Sequence, residues 1–170
     1  MQKLSVGLVV LTKLPSATER VAVLQIRGEF NHEKMGSESF PGACQVTVHG
    51  GAEGAERALD TLFRETREEI GGEALGIILR QNDNGRLLEL HQANSPEKSI
   101  VTFGVTVEPH FLKTLRFGPS SGGIRLLPES RISSVINLKQ FNKIDGVTDR
   151  SITAMFADDI ESVRLAFEKC

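Results

Sequence analysis

The sequence predicts a mixed α+β fold in which helices cover a central mixed sheet. Short apolar runs typical of strands occur along most of the chain, one helical pattern lies before its middle, and a second lies at its end. Strands interrupted by two separated helices are typical of a sheet sandwiched by helices. The chain has 170 residues and contains no internal repeat or long linker, so we predict a single domain over residues 1–170.

Three strands and one loop are predicted before the first helix. Leu4–Leu11 is nearly all apolar and predicts a strand buried on both faces, and Val21–Ile26 predicts a second strand after a turn. The polar, Gly-rich segment Gly28–Gly42 predicts a loop. Cys44–His49 alternates apolar and polar residues, which is typical of a half-buried strand.

The first helix is predicted over Ala55–Ile70. At about 100° per residue, one stripe of this helix collects the residues that would pack on the sheet, namely Leu59, Leu62, Phe63, Thr66 and Ile70. The pair Gly71–Gly72 predicts its end.

The second half of the chain predicts strands at Leu75–Gln81 and Arg86–His91, joined by a hairpin turn at the letters NDNG. Ser99–Val107 predicts a further strand, and a loop is predicted over Arg116–Gly123. Two short extended pieces and a C-terminal helix follow, at Ile124–Leu127, Ile132–Ile136 and Ser151–Lys169.

Composition restricts the classes of partner. The net charge of −2 gives no basic surface for non-specific nucleic-acid binding, so nucleic acid is not an expected partner. Cys44 and Cys170 cannot form a disulfide framework, which favours the reducing cytoplasm. We expect no contact with a membrane, because no apolar run approaches the roughly 18 residues of a membrane span.

Three glutamates crowd one face of the first helix. Glu65, Glu68 and Glu69 stand at i, i+3 and i+4, where like charges cost a few tenths of a kcal/mol per pair. Arg64 and Arg67 relieve part of this repulsion. Most Glu-rich helices simply present a solvated face, but the spacing of the residues around these three indicates a more specific role.

The segment Gly50–Gly72 contains seven identities at fixed spacing. A chance match at one register is on the order of one in 10⁸. The segment resembles the box of the Nudix hydrolase family, G-x5-E-x7-R-E-U-x-E-E-x-G-U, where U is a bulky aliphatic residue. The matching residues are Gly50, Glu56, Arg64, Glu65, Glu68, Glu69 and Gly71. Thr66 and Gly72 depart from the two U positions, which we expect to affect packing more than chemistry.

The resemblance implies a Nudix-type α/β/α sandwich and a hydrolase that cleaves a diphosphate linkage in a nucleoside diphosphate derivative. It implies Mg²⁺ as the cofactor, with Mn²⁺ as an alternative, because hard cations neutralise phosphate charge and acidify water. By resemblance, Glu65 and Glu69 are metal ligands, and Glu68 is either a ligand or the residue that polarises water. The carbonyl of Gly50 would complete the metal shell.

Further residues are assigned around this set. By resemblance, Glu56 pairs with Arg64 and holds the catalytic turn, although a first-turn glutamate also favours the helix dipole. Many members of the family recruit one more acid from outside the box, for which Glu129 is the first candidate and Glu108 the second. Arg27 and His49 are expected to border the substrate cleft.

Two alternatives to the hydrolase stay open. A non-catalytic nucleotide-binding domain with this fold usually lacks one of the three acids, and none is lost here. A diphosphate isomerase with this fold needs a cysteine directly ahead of the box, whereas Cys44 lies six residues before Gly50. The expected partner is a small nucleotide or diphosphate. The sequence contains no clear interface signal and leaves a homodimer open.

Overall fold

The computed structural model describes residues 2–170, and a seven-stranded sheet forms its centre. The strands described are β1 Lys3–Thr12, β2 Val21–Arg27, β3 Phe30–Asn31, β4 Gly36–Ser37, β5 Cys44–Gln45, β6 Val48–Gly51, β7 Leu88–Asn94, β8 Lys98–Thr106, β9 Ser121–Pro128, β10 Ile136–Asn137 and β11 Ala154–Met155. The central sheet contains β1, β2 and β5 to β9, while β3 pairs with β4 and β10 pairs with β11 in two separate small sheets. The α-helices are α1 Ala58–Ile70, α2 Gly72–Asp83 and α3 Ala157–Lys169. Short 3₁₀ helices occupy Pro109–Lys113, Glu129–Ser134 and Leu138–Gln140.

Strand β1 organises the sheet. It runs parallel to β8 along nine residues and antiparallel to β2 at its C-terminal end and to β6 at its N-terminal half. Strand β2 in turn pairs antiparallel with β5 and β9, and β7 pairs antiparallel with β8. The sheet is therefore mixed, as predicted.

Alternation along β1 divides the core into two layers. Val6, Leu8 and Val10 are fully buried in the layer that also holds the buried residues of α1 and α2. Val9 and Leu11 point the opposite way and pack in the layer that contains α3. The predicted α+β architecture, with helices on both faces of a mixed sheet, is confirmed.

The strand predicted at Leu75–Gln81 is wrong, because this segment lies within helix α2. Gly71 ends α1 with a φ of 98°, and its carbonyl then accepts the first hydrogen bond of α2 from the amide of Leu75. The buried residues Ala74, Ile77 and Ile78 follow a helical spacing. A short apolar run does not distinguish a buried strand from a buried helix, and the predicted hairpin turn is instead the C-terminal end of this helix.

Other boundaries also differ from the predictions. The strand predicted at Cys44–His49 is split into β5 and β6 at Thr47, whose Oγ1 accepts from the amide of Val10 (2.9 Å) and donates to the carbonyl of Val23 (2.5 Å). The loop Gly28–Gly42 carries the two-residue strands β3 and β4. Most of Ile132–Ile136 is a 3₁₀ turn, and the last helix begins at Ala157. Among the helices of residues 2–170, none combines the length and hydropathy of a membrane span.

We expect Ile78→Ala to lower the free energy of unfolding by about 2–5 kcal/mol, since Ile78 of α2 is fully buried against the sheet. Ile144→Ala removes the same atoms from a side chain that is 80% exposed and should change stability by less than about 0.5 kcal/mol. Urea denaturation of both variants measures the difference. Equal stability of the two would contradict the packing of α2.

Candidate functional site

A polar cavity of about 420 Å³ lies where β6 meets α1, and we call it the glutamate cavity. Four glutamates from three segments line it, together with backbone of β6 and cationic residues from β2 and the β3–β4 loop. The glutamates are Glu33, Glu38, Glu65 and Glu69. The cavity is therefore rich in hard oxygen donors.

Glu69 lies at the buried side of this cavity. Its Oε2 accepts from the backbone amide of His49 (3.0 Å) and from Nε2 of Gln25 (3.4 Å). Burial, followed by the charges of Glu65 and Glu33, raises the pKa of Glu69 to about 8. The carboxyl is thus held without a cationic partner among the described residues.

Glu65 packs directly on the backbone of Gly50. A Cβ atom on Gly50 would lie 1.9 Å from Cδ of Glu65, so only glycine leaves room for this carboxylate. Burial raises the pKa of Glu65, while Arg64 opposes the shift. Residues of β6 and α1 that lie 15 positions apart are thereby brought into contact.

Arg64 connects the turn before α1 to the glutamates. Its guanidinium donates twice to Glu56 (3.0 and 3.1 Å) and once to the carbonyl of Gly51 (2.7 Å). It also donates to Glu65 and Glu68, each at 3.0 Å. The hydrogen bond from Arg64 lowers the pKa of Glu56 to about 2, so the pair stays ionised.

Glu68 lies outside the glutamate cavity and its side chain is 53% exposed. Its carboxylate accepts a hydrogen bond from Arg64. No group of three or more His, Cys, Asp or Glu side chains within residues 2–170 is arranged to hold a metal ion. Glu65, Glu69 and the nearby backbone of Gly50 nevertheless fit a hard divalent cation, since such ions use few protein oxygens and complete their shell with water. Burial is the main cause of the raised pKa of both glutamates, and a cation bound between them would favour their ionised forms.

A second cavity of about 350 Å³ adjoins the first on the α3 side of the sheet, and we call it the α3 cavity. Gly7 contributes to its floor, where an added Cβ would lie only 3.3 Å from Thr102. Phe156 and Asp159 line it at the start of α3, and Phe156 is 40% exposed. Polar and charged side chains form most of the lining of this cavity, and Ile100 and Phe156 add apolar surface to it.

Arg27 and His49 line both cavities. Arg27 donates to Glu38 (2.9 Å) and to the carbonyl of Ser39 (2.9 Å), which holds the β3–β4 loop beside the site. Burial and the neighbouring cations Lys98 and Arg27 lower the pKa of His49 to about 4, so its imidazole is neutral at pH 7. The structure therefore places both residues at the cleft.

Comparison of the whole chain with known proteins identifies its fold. No family model and no curated protein matches the sequence. Solved structures do match: a mutT/nudix family protein from Listeria innocua aligns with a TM-score of 0.62 at 17% identity, over 98% of this chain and 92% of its own. The NUDIX domain of Shewanella oneidensis NrtR, complexed with ADP ribose, aligns with a TM-score of 0.60 at 15% identity, over 99% and 88%. The chain has the Nudix fold.

The Nudix fold is shared with proteins of different length and ligand. A binary complex of a C. elegans Ap4A hydrolase aligns with a TM-score of 0.54 at 14% identity, over 98% of this chain and 96% of its own. The chain spans only 44% of a MutT/nudix family protein from Enterococcus faecalis, which aligns with a TM-score of 0.55 at 18% identity over 75% of this chain. At these identities the likeness establishes the fold alone.

The structure does not bring the two predicted accessory acids to the site. Glu129 follows β9 and forms an ion pair with Arg20 (3.2 Å), at the end of β2 opposite to Arg27. Glu108 follows β8 and lines a separate cavity beside the C-terminus. In the Nudix fold of this chain, the additional acids of the cavity are Glu33 and Glu38.

Sequence reasoning missed these two acids because no fixed spacing relates their loop to the box. Only the polar character of Gly28–Gly42 pointed to the loop, and nothing singled out individual acids in it. The contact between Arg27 and Glu38 folds the loop back over the cavity. Spatial proximity here depends on a tertiary contact and not on local spacing.

Desolvation of its carboxyl raises the pKa of Asp159 to about 7. The folded protein then binds more protons than the unfolded chain between about pH 4 and 7, so this group makes stability fall as pH rises through that window. Asp159→Asn should remove that part of the slope, whereas Asp83→Asn, at the end of α2, should keep it. Urea midpoints measured from pH 4 to 8 check this, and an unchanged slope in Asp159→Asn would contradict it.

Proposed function

We propose that the protein is a Nudix hydrolase that cleaves the diphosphate linkage of a nucleoside diphosphate derivative with the help of a divalent cation. The observation that carries this proposal is the placement of Glu65 and Glu69 together in one cavity, against the backbone of Gly50. The cavity gathers four glutamates against only two cationic side chains, Arg27 and Lys34, which suits a ligand that brings its own cation. A diphosphate with bound metal is such a ligand.

Glu65 and Glu69, with the carbonyl of Gly50, would hold Mg²⁺, or Mn²⁺ in its place. When bound, such an ion neutralises phosphate charge and lowers the pKa of a coordinated water. Glu68 would complete the site if its carboxylate left Arg64, or would accept a proton from the attacking water. Arg64 and Glu56 act as positioning residues, since their paired hydrogen bonds hold the turn that carries Gly51.

The organic part of the substrate has a place beside the glutamates. The α3 cavity is continuous in its lining with the glutamate cavity through Arg27, Gln45 and His49. The exposed ring of Phe156 offers a stacking surface, and Arg27 offers a cation to a phosphate oxygen. ADP ribose and Ap4A, which are named with two of the similar structures, each join nucleoside or sugar groups through a chain of two or more phosphates.

The diphosphate isomerase is disfavoured by the state of Cys44. This thiol is buried, with 1% of the residue exposed, and burial raises its pKa to about 11. A reactive cysteine needs thiolate character and access to the substrate. Cys44 packs instead with the core residues of the α3 layer.

We expect purified protein to release phosphate or a nucleotide from one class of diphosphate compound only when Mg²⁺ or Mn²⁺ is present. Glu69→Gln should lower kcat by about 100-fold or more, because it removes a charged ligand from the buried side of the cavity. Glu73→Gln, in the first turn of α2, is the matched control and should keep full activity. A panel of nucleotide sugars, ADP ribose, dinucleoside polyphosphates and nucleoside triphosphates provides the substrates.

Two results of this panel would overturn the hydrolase. Full turnover by Glu69→Gln would remove the proposed metal ligand from the reaction. Tight, metal-dependent binding of one compound with no turnover under any condition would leave a nucleotide-binding domain as the function.

Gly50→Ala tests the metal site without replacing any of the glutamates. The new Cβ must displace the Glu65 carboxylate, and we expect the affinity for Mn²⁺ to fall by about tenfold or more. Gly51→Ala meets only the carbonyl of Leu4 at 3.9 Å and should bind Mn²⁺ like the parent. Isothermal titration with Mn²⁺ measures both variants, and equal affinities would exclude Glu65 as a ligand.

A further inference from the structure

Three arginines line a cavity of about 490 Å³ on the outer side of β9, and we call it the arginine pocket. Arg125 comes from β9, Arg131 from the following 3₁₀ helix, and Arg150 from the segment before β11. Three hydroxyl side chains, Ser134, Ser151 and Thr153, line the same cavity. Its lining contains no aspartate or glutamate.

None of these three guanidinium groups forms an ion pair within residues 2–170. Within residues 2–170, the arginines that form ion pairs lie outside the arginine pocket. They are Arg20, Arg27, Arg57, Arg64 and Arg164. Arg131 and Arg150 are exposed and form no ion pair there. The nearest acid in sequence, Asp149, instead accepts hydrogen bonds from the amide and hydroxyl of Ser151.

Arg125 fixes the geometry of the pocket. Its guanidinium donates to the carbonyls of Arg150 and Ile152 and to Oγ1 of Thr153 (3.1 Å). These hydrogen bonds tie the segment before β11 to β9. Hydrogen bonds from Ser151, with a smaller contribution from the charge of Arg125, lower the pKa of Asp149, but Arg125 forms no ion pair within residues 2–170. The chain as a whole carries a net charge of −2, so a concentration of three cations with no lining acid is a local exception.

We propose that the arginine pocket binds a phosphate group and is an anion site distinct from the glutamate cavity. Guanidinium groups offer paired, planar donors that match phosphate oxygens, and hydroxyl groups add further donors. A compact anion with several oxygens can contact more than one arginine at once, which a single carboxylate does less well. The observation that carries the proposal is the presence of three arginines in the lining of one cavity that contains no aspartate or glutamate.

The same phosphate chemistry has two sources. One is a free phosphate ion. The other, which rests on the proposed hydrolase, is a second phosphate group of an extended substrate. A loop cavity of about 750 Å³ shares Arg27 and Glu38 with the glutamate cavity and Arg150 with the arginine pocket, so the three form one connected surface.

The register of β9 sets the length of such a substrate. Ser121 lies opposite Arg27 and Arg125 opposite Leu24. Four residues of strand span about 13 Å, so Arg125 lies about that far along β9 from the residue that faces Arg27.

The first experiment titrates metal-free protein with inorganic phosphate in a buffer without other oxyanions and follows backbone amides by NMR. We expect saturable shifts in residues 125–134 and 150–153, and an affinity about tenfold or more weaker in Arg131→Ala/Arg150→Ala. Lys13→Ala/Lys113→Ala removes two exposed lysines from other parts of the surface and should bind like the parent. Because no turnover or metal is required, failure of this titration is distinct from failure of the hydrolase.

A second titration separates the two sources, with a nucleoside 5′-diphosphate and a dinucleotide 5′-diphosphate as probes. Tighter binding of the dinucleotide that is lost in Arg131→Ala/Arg150→Ala would support the pocket and assign it to an extended substrate. Equal binding of the two probes, beside saturable phosphate shifts, would support the pocket and assign it to the free ion. The absence of phosphate shifts in these segments, or equal phosphate affinity in the arginine and lysine double variants, would overturn the proposal.

Discussion

The burial of β1 on both faces is the constraint on which the rest of the structure depends. Its even-numbered residues hold α1 and α2 to one side of the sheet, and its odd-numbered residues hold the α3 layer to the other. The same strand aligns β6 through the pairing of Val6 with Gly50. Since α1 packs on the layer that contains Val6 and Leu8, its glutamates meet the backbone of β6, and the site follows from the core.

Charge at the site is balanced unequally. Arg64 compensates the outer glutamates, where solvent also screens them, while Glu69 has only two neutral donors. Burying an unpaired carboxylate costs several kcal/mol, or else the group takes up a proton, as the raised pKa of Glu69 indicates. Such a group lowers the stability of the fold. Residues that act on ligands frequently have a shifted pKa and a stability cost of this kind.

Patterns of apolar residues along the sequence predicted those strands and helices whose burial follows from neighbouring residues in the chain. The continuous apolar run of β1 and the helical stripe of α1 were both recognisable, and the spacing from Gly50 to Gly71 grouped the residues that the structure places around Arg64. Helix α2 was misassigned because its apolar run is short and Gly71 begins it without a polar capping side chain. Glu33, Glu38 and the arginines around β9 could not be grouped from sequence, since strand pairing and the Arg27–Glu38 contact bring them together.

The hydroxyl of Thr47 has a consequence for how the chain reaches this arrangement. It accepts a hydrogen bond from the amide of Val10 on β1 and donates one to the carbonyl of Val23 on β2. One side chain between β5 and β6 therefore contacts the backbone of two strands. A slip of β6 by one residue would leave both backbone groups buried without partners, at a cost of roughly 1–3 kcal/mol each. The same slip would move Gly50 away from Glu65, and in one direction it would bring the bulkier His49 into its place. The hydrogen bonds of Thr47 thus select, as the sheet assembles, against any strand register that would displace Gly50 from Glu65.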